Sequence, residues 1–121
     1  MPLKLGYLLP TRERIMSGEP AAKPMLALAE RAEATGFDGI WIGDSVTARP
    51  RHDPLTLMAA VAARVPRVAI GTAVLLPALR NPVLLAHQIA TIDQIAEGRI
   101  ILGVGIARDV PADLGDALLN M

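Results

Sequence analysis

The sequence predicts an α/β fold in which parallel strands alternate with helices, and three observations support this prediction. Hydrophobic residues make up 52% of the 121 residues and charged residues only 20%, which indicates extensive buried structure. Aromatic residues contribute 2%, so Ala, Val, Ile and Leu form the core, as expected for helices packed on a buried parallel sheet. Four apolar runs also recur at roughly thirty-residue spacing, which is typical of βα units.

The first predicted strand and helix lie in the N-terminal third of the chain. The strand, residues 3–9, is a short apolar run bounded by Pro2 and Pro10. A polar loop follows at 17–19. Residues 21–35 place apolar side chains on one face and charged side chains elsewhere, which predicts an amphipathic helix that Gly36 ends.

The same strand and helix pattern then repeats. Asp53 and Asn81 each precede a proline, which is the pattern of a helix N-cap followed by a first-turn proline, and Gly98 follows the last predicted helix. The remaining predicted elements are strands at 39–43, 68–76 and 99–105 and helices at 54–64 and 82–96.

Connections of this length require crossovers, so the strands are predicted to be parallel. Periodicity alone leaves two architectures open, a doubly wound open sheet and a (β/α)₈ barrel. A full barrel takes about 250 residues, so four βα units amount to half of one. We expect residues 1–107 to form this half and residues 108–121 to be an atypical tail.

Charge balance and the absence of cysteine argue against several classes of protein. Twelve basic residues match 12 acidic ones, so we expect no nucleic-acid partner. The chain lacks cysteine, and no apolar run approaches the about 18 residues that span a bilayer, so we expect a cytoplasmic protein without a membrane partner. His52 and His87 lack the spacing of a metal-binding pair, and no metal site is predicted.

Five sequence blocks in order carry a resemblance to a known family. The match covers about residues 3–107 and resembles the N-terminal half of the luciferase-like flavin-dependent oxidoreductases. The blocks are GFDGIWIGDS at 36–45, GTAVLLP at 71–77, RNP at 80–82, IDQIAEGR at 92–99 and LGVG at 102–105.

The resemblance implies a (β/α)₈ barrel that uses FMN or the deazaflavin coenzyme F420 on a small-molecule substrate, as a monooxygenase or a dehydrogenase. The active site would lie at the carboxyl ends of the strands. Asp44 and Ser45 are then candidate catalytic residues, with loop capping as the alternative for Asp44 and a turn role for Ser45. The resemblance also implies a bulge with a cis peptide at Ala73 and Val74. The candidate cofactor-binding residues are Tyr7, Ala73, Val74, Gly105 and Ile106.

The sequence departs from the family pattern at two positions. Many relatives have a histidine after the aspartate that corresponds to Asp44, where this chain has Ser45, and some dehydrogenases have a glutamate where this chain has Arg108. No acid/base pair therefore carries over. Arg108 also replaces the third glycine of a dinucleotide-binding fingerprint that Gly103 and Gly105 would begin, which disfavours such a site.

A second hypothesis is that the chain is a catalytically silent half-barrel that acts as an assembly module. In a half-barrel, the outer strands would have unpaired edges, and barrel-facing side chains would lack packing partners. We expect these side chains to include Ile40, Ile42, Ile70 and Ile101. The chain would then self-associate, for example as a homodimer.

Overall fold

A computed structural model describes residues 2–46 and 50–106. Its strands and helices alternate after a short first helix, and a single 3₁₀ turn (Pro77–Leu79) precedes the last helix. The predicted boundary at residue 107 and the tail 108–121 lie outside the described residues and stay predictions. The elements are β1 (Gly6–Leu8), α1 (Thr11–Met16), α2 (Lys23–Ala34), β2 (Gly39–Ile42), α3 (Pro54–Arg64), β3 (Ala69–Leu75), α4 (Pro82–Ala96) and β4 (Ile100–Val104).

The four strands form one parallel sheet in the order β1-β2-β3-β4. Strands that are neighbours in sequence are also neighbours in a (β/α)₈ barrel, whereas in a doubly wound sheet the strand order reverses at a switch point. The structure therefore confirms the predicted barrel type over the open-sheet alternative. Helices α2, α3 and α4 pack side by side, and their apolar faces form the core together with one face of the sheet.

The strand register shows which side chains point towards the helices. Ile40 and Ile70 are register partners, and both are fully buried in the helix-facing core, as is Ile42. The expectation that these three isoleucines face the barrel interior is wrong. Because side chains alternate along a strand, the sequence shows which residues share a face of the sheet, but it does not show which face is covered by the helices. Ile101, which is 46% exposed, lies on the barrel-facing side as expected.

Two elements near the N-terminus differ from the prediction. Strand β1 begins at Gly6 rather than residue 3, because its pairing with β2 begins where Gly6 meets Gly39. The Asp38 carboxylate instead accepts a hydrogen bond from the Leu5 amide at 2.8 Å. Helix α1 was not predicted, because its six residues are mostly polar and too few to show a helical period.

The predicted helix caps are present. The Asp53 carboxylate accepts from the Thr56 amide at 2.9 Å, and the Asn81 side chain accepts from the amides of Val83 and Leu84. At the end of α4, Glu97 adopts a left-handed conformation with φ of 52°, followed by Gly98 with φ of 81°. Among the described residues, no helix is both long and apolar enough to cross a membrane.

Trp41 covers the amino-terminal part of the barrel-facing surface. A Cβ atom at Gly6 would collide with the indole Nε1, and one at Gly71 would lie 2.7 Å from the indole Cε3. Glycines on β1 and β3 thus let the ring lie flat across three strands. Trp41 does not cover the carboxyl-terminal part of this surface.

Candidate functional site

Three strand ends meet at the carboxyl-terminal edge of the sheet. The Leu76 amide donates to Asp44 Oδ2 at 2.9 Å, which joins the ends of β2 and β3, and the Gly105 amide donates to the Leu75 carbonyl at 2.8 Å, which joins the ends of β3 and β4. We call this region the mouth and define it as Gly43, Asp44, Ser45, Ala73, Val74 and Gly105.

Strand β3 bulges at the mouth. The Ala73–Val74 peptide bond is cis, and the register between β3 and β4 shifts between Thr72 and Leu75. This confirms the bulge and cis bond that the family resemblance implied. The buried Thr72 hydroxyl donates to the Gly103 carbonyl at 2.8 Å and fastens the bulge to β4. Ala73 is exposed and Val74 is 42% exposed, so both are accessible at the mouth.

Glycines of β4 let the bulge lie close to that strand. A Cβ atom at Gly105 would lie 2.6 Å from Val74 Cγ2, and one at Gly103 would collide with the Thr72 carbonyl oxygen. Val74 therefore packs against bare backbone and, with Ala73, forms a low apolar ledge. A ledge of this kind suits the face of a planar ring, because it offers apolar contacts and carries no bulky side chain that would block the ring.

Asp44 is enclosed rather than presented to the mouth. Its side chain is 1% exposed, and both carboxylate oxygens lie 3.1 Å from Nη2 of Arg80, which is 13% exposed. Oδ2 also accepts from the Leu76 amide. A carboxylate with these partners ties loops together, and this geometry favours the loop-capping alternative for Asp44.

Arg80 also reaches the start of α3. Its Nη2 lies 3.2 Å from Asp53 Oδ1, while Asp53 Oδ2 accepts from the Thr56 amide and hydroxyl. Burial alone would raise the pKa of Asp53, but the Thr56 hydrogen bonds and the Arg80 charge outweigh it and hold that pKa below its ordinary value. One guanidinium thus joins the loop after β2, the cap of α3 and the segment before α4.

Ser45 lies beside a second arginine. Arg51 Nε donates to Ser45 Oγ at 2.9 Å. A Cβ atom built on Gly43 would collide with Arg51 Nη1 and lie 3.0 Å from Arg51 Cζ and 3.5 Å from the Ala73 carbonyl oxygen. The guanidinium therefore covers the Cα of Gly43.

The structure does not bring every candidate to the mouth. Tyr7 is in register with Ile40, packs edge-on against Phe37 with ring centroids 5.5 Å apart, and is partly buried against the helix-side core. Ile106 is 88% exposed and follows the mouth residue Gly105. Among the described residues, no group of three His, Cys, Asp or Glu side chains could hold a metal ion.

The sequence did not point to the two arginines that contact mouth residues, Arg80 at Asp44 and Arg51 at Ser45. Arg80 belongs to the RNP block at 80–82, and Arg51 lies outside all five blocks. Asp44 follows an apolar strand, and a carboxylate in that position needs a cation if it is buried. This requirement was a signal for a partner, but the sequence does not say which arginine supplies it.

Comparisons with known proteins agree with the fold and with the family resemblance of the sequence. The family model described as luciferase-like monooxygenase matches residues 3–112. The F420-dependent glucose-6-phosphate dehydrogenase of Amycolatopsis mediterranei is 38% identical over 109 residues, which cover 85% of this chain and 31% of the relative. The enzyme of the same name from Kineococcus radiotolerans is 41% identical over 111 residues, with 86% and 31% covered.

Solved structures show the same architecture. Monooxygenase RslO1 from Streptomyces bottropensis aligns with a TM-score of 0.76 at 31% identity, covering 97% of this chain and 36% of that protein. The F420-dependent tetrahydromethanopterin reductase from Methanopyrus kandleri gives 0.72 at 25%, covering 89% and 28%. The FMN complex of a Pseudomonas putida Baeyer–Villiger monooxygenase gives 0.76 at 23%, covering 89% and 30%, and supports the fold alone. The chain spans about 31% of the length of the curated relatives that it matches.

Proposed function

Because this chain belongs to the luciferase-like monooxygenase family, we propose that it supplies part of the active site of a flavin- or deazaflavin-dependent oxidoreductase. The apolar ledge of Ala73 and Val74 carries this proposal. It lies at the carboxyl ends of parallel strands, where barrel enzymes bind their ligands, and it is backed by glycine backbone.

The residues of the mouth fit a planar cofactor. Ala73 and Val74 would contact the ring, Gly105 would leave room beside it, and Ile106 would add apolar surface. Asp44 is a positioning residue in this proposal, because its carboxylate holds the backbone at Leu76. Tyr7 stays outside the contact set. When bound, such a cofactor supplies hydride or oxygen chemistry, and the protein supplies orientation and electrostatics.

Coenzyme F420 is the first cofactor to test and FMN the second. The curated relatives with 38% and 41% identity are named as F420-dependent, as is the Methanopyrus reductase. The substrate would be a small molecule, and glucose 6-phosphate, named in those relatives, is the first compound to test. A cytoplasmic location stays part of the proposal.

A cofactor-retention experiment tests the proposal. The purified chain is mixed with F420 or FMN and passed through gel filtration, and the visible spectrum of the protein peak is recorded. We expect retained chromophore, and less of it for Val74→Asp than for Val46→Asp, a matched change at an exposed loop valine outside the defined mouth. A protein peak without either chromophore would contradict the proposal and favour the silent assembly module.

We also propose that a second copy of the chain completes the barrel. Within residues 2–46 and 50–106, β1 and β4 each pair on one side only, and apolar side chains on both strands are exposed, including Leu8, Ile101 and Val104. A twofold axis along the barrel would pair β4 of each copy with β1 of the other and give eight parallel strands. Sedimentation equilibrium should then show a dimer, whereas a monomer at tens of micromolar would contradict this assembly.

A further inference from the structure

We propose that Asp53, the cap of helix α3, is a positioning residue for the cofactor, because it holds Arg80 in place and Arg80 in turn holds Asp44 at the mouth. The inference rests on the proposed function, since it assigns a role in that same site to a side chain outside the mouth. Asp53 acts through Arg80 and does not itself contact the cofactor.

The contacts of the Arg80 guanidinium are the first step. Its Nη2 atom lies 3.1 Å from each carboxylate oxygen of Asp44 and 3.2 Å from Asp53 Oδ1. This terminal nitrogen has two hydrogens, so one can be shared between the Asp44 oxygens while the other points to Asp53. Arg80 Nε is buried and has no hydrogen-bond partner among the described residues. The two aspartates therefore supply the contacts that fix this guanidinium in the described part of the chain.

The connection between Asp44 and the apolar ledge is the second step. Asp44 Oδ2 accepts from the Leu76 amide at 2.9 Å, and the Leu75 carbonyl accepts from the Gly105 amide at 2.8 Å. Leu75 and Leu76 directly follow the two residues of the ledge. A displacement of Asp44 would therefore move the end of β3 and, with it, the surface that we expect to contact the cofactor ring.

The three charged side chains differ in their access to solvent. The side chain of Asp44 is 1% exposed, that of Arg80 is 13% exposed and that of Asp53 is 44% exposed. Asp53 is therefore the surface end of this series of contacts, and Asp44 is the buried end. Hydrogen bonds between charged groups are stronger than neutral ones, so loss of the Asp53 charge should loosen Arg80 although the change lies outside the mouth.

Two substitutions separate the positioning role from the capping of α3. Asparagine is a good N-cap residue without a charge, so Asp53→Asn keeps the cap and weakens the contact with Arg80. Glutamate keeps the charge but is not among the preferred N-cap residues, so Asp53→Glu has the opposite effects. A positioning role predicts tighter cofactor binding in Asp53→Glu than in Asp53→Asn, whereas a purely capping role predicts the reverse order.

Fluorescence titration with F420 and with FMN measures the affinity of each variant, and circular dichroism verifies that each is folded. We expect Asp53→Asn to weaken binding by about fivefold and Asp53→Glu by no more than about twofold. The control, Glu30→Gln, makes the same carboxylate-to-amide change in an exposed pair with Arg64 and should bind like the original chain. Equal affinity of Asp53→Asn and the original chain, or binding in Asp53→Glu that is no tighter than in Asp53→Asn, would overturn the inference but not the proposed function.

The NMR signal of the Leu76 amide gives a second readout that needs no cofactor. This amide donates to Asp44, so its proton shift reports the position of that carboxylate. We expect the signal to move in Asp53→Asn and to stay in place in Glu30→Gln. An unchanged Leu76 signal in Asp53→Asn would overturn the inference. If the original chain binds neither cofactor, the proposed function is wrong, and the Leu76 signal still decides whether Asp53 holds the mouth in place.

Discussion

The Arg80 guanidinium places Nη2 3.1 Å from each carboxylate oxygen of Asp44, whose side chain is 1% exposed. The ion pair joins the loop after β2 to the segment before α4. Because Asp44 also accepts from the Leu76 amide, it fixes the end of β3 directly beyond the apolar ledge. The mouth is therefore held by a buried charge pair.

Removing the cation should destabilise the fold strongly. In Arg80→Met, Asp44 stays buried without its partner, a change that typically costs about 3–5 kcal/mol. Urea unfolding measures the free energy of unfolding. The control is Arg64→Met, which breaks an exposed pair with Glu30 and should cost no more than about 1 kcal/mol. Equal losses in the two variants would show that the Asp44 charge is not buried.

Asp53 should make stability depend on pH in the acid range. Its pKa is lowered in the folded chain, so the ionised carboxylate stabilises the fold; this contribution is complete above the ordinary value of 3.8 and is lost as the pH falls through the lower, folded pKa. Asp53→Asn keeps a capping acceptor but no charge. Unfolding curves at pH 7, 5, 4 and 3 should show an advantage of the original chain over Asp53→Asn that shrinks below about pH 4. An advantage that grows in acid would contradict the prediction.

The sequence predicted the cap of α3 but not the electrostatics around it. An Asp-Pro pair before an apolar helix is a local signal, and the Thr56 amide bond to Asp53 confirms it. The contact with Arg80 joins residues 27 apart in the chain, and nothing in the local pattern specifies it. The strand order and the sequence blocks at the mouth were predictable, because each follows from a pattern in the sequence. The partners of Asp44 and Ser45 were not predictable, because no such pattern specifies them.

The packing of Trp41 predicts a specific coupling with Gly6. A Cβ atom at Gly6 would collide with the indole, so Gly6→Ala should cost about 1–3 kcal/mol of the free energy of unfolding. In the Trp41→Leu background the same substitution should cost much less, because the three nearest atoms all belong to that ring. Urea unfolding of the four proteins, followed by circular dichroism, gives the coupling energy. Independent, additive costs would show that the ring does not occupy this position.

Trp41 also explains why three isoleucines were predicted on the wrong face of the sheet. The isoleucines at 40, 42 and 70 looked suited to a barrel interior, but helix packing buries them. On the opposite face, one indole and the glycines beneath it replace several branched side chains. Strand periodicity separates the two sets of residues, and only packing partners from distant elements assign each set to a face.

The end of α4 offers a stabilising substitution. Glu97 has φ of 52°, a left-handed conformation that costs a residue with a side chain roughly 1 kcal/mol and costs glycine little. Glu97→Gly should therefore raise the free energy of unfolding by up to about 1 kcal/mol. Gln94→Gly, three residues earlier inside the helix, should lower it by about 1 kcal/mol. Thermal unfolding of both variants checks the opposite signs, and a loss of stability in Glu97→Gly would contradict the cap geometry.

The proposed dimer predicts that a charge at the edge of the sheet blocks association. Leu8 is exposed on β1, the strand that would pair with β4 of the second copy, and a lysine there would be desolvated at the new interface. Leu8→Lys should therefore shift sedimentation profiles towards monomer. The matched control, Val46→Lys, changes an exposed apolar residue in the loop after the central strand β2 and should leave the dimer intact. If Val46→Lys dissociates the dimer and Leu8→Lys does not, the copies associate through the loop after β2 instead of the strand edges, and the eight-stranded assembly is wrong.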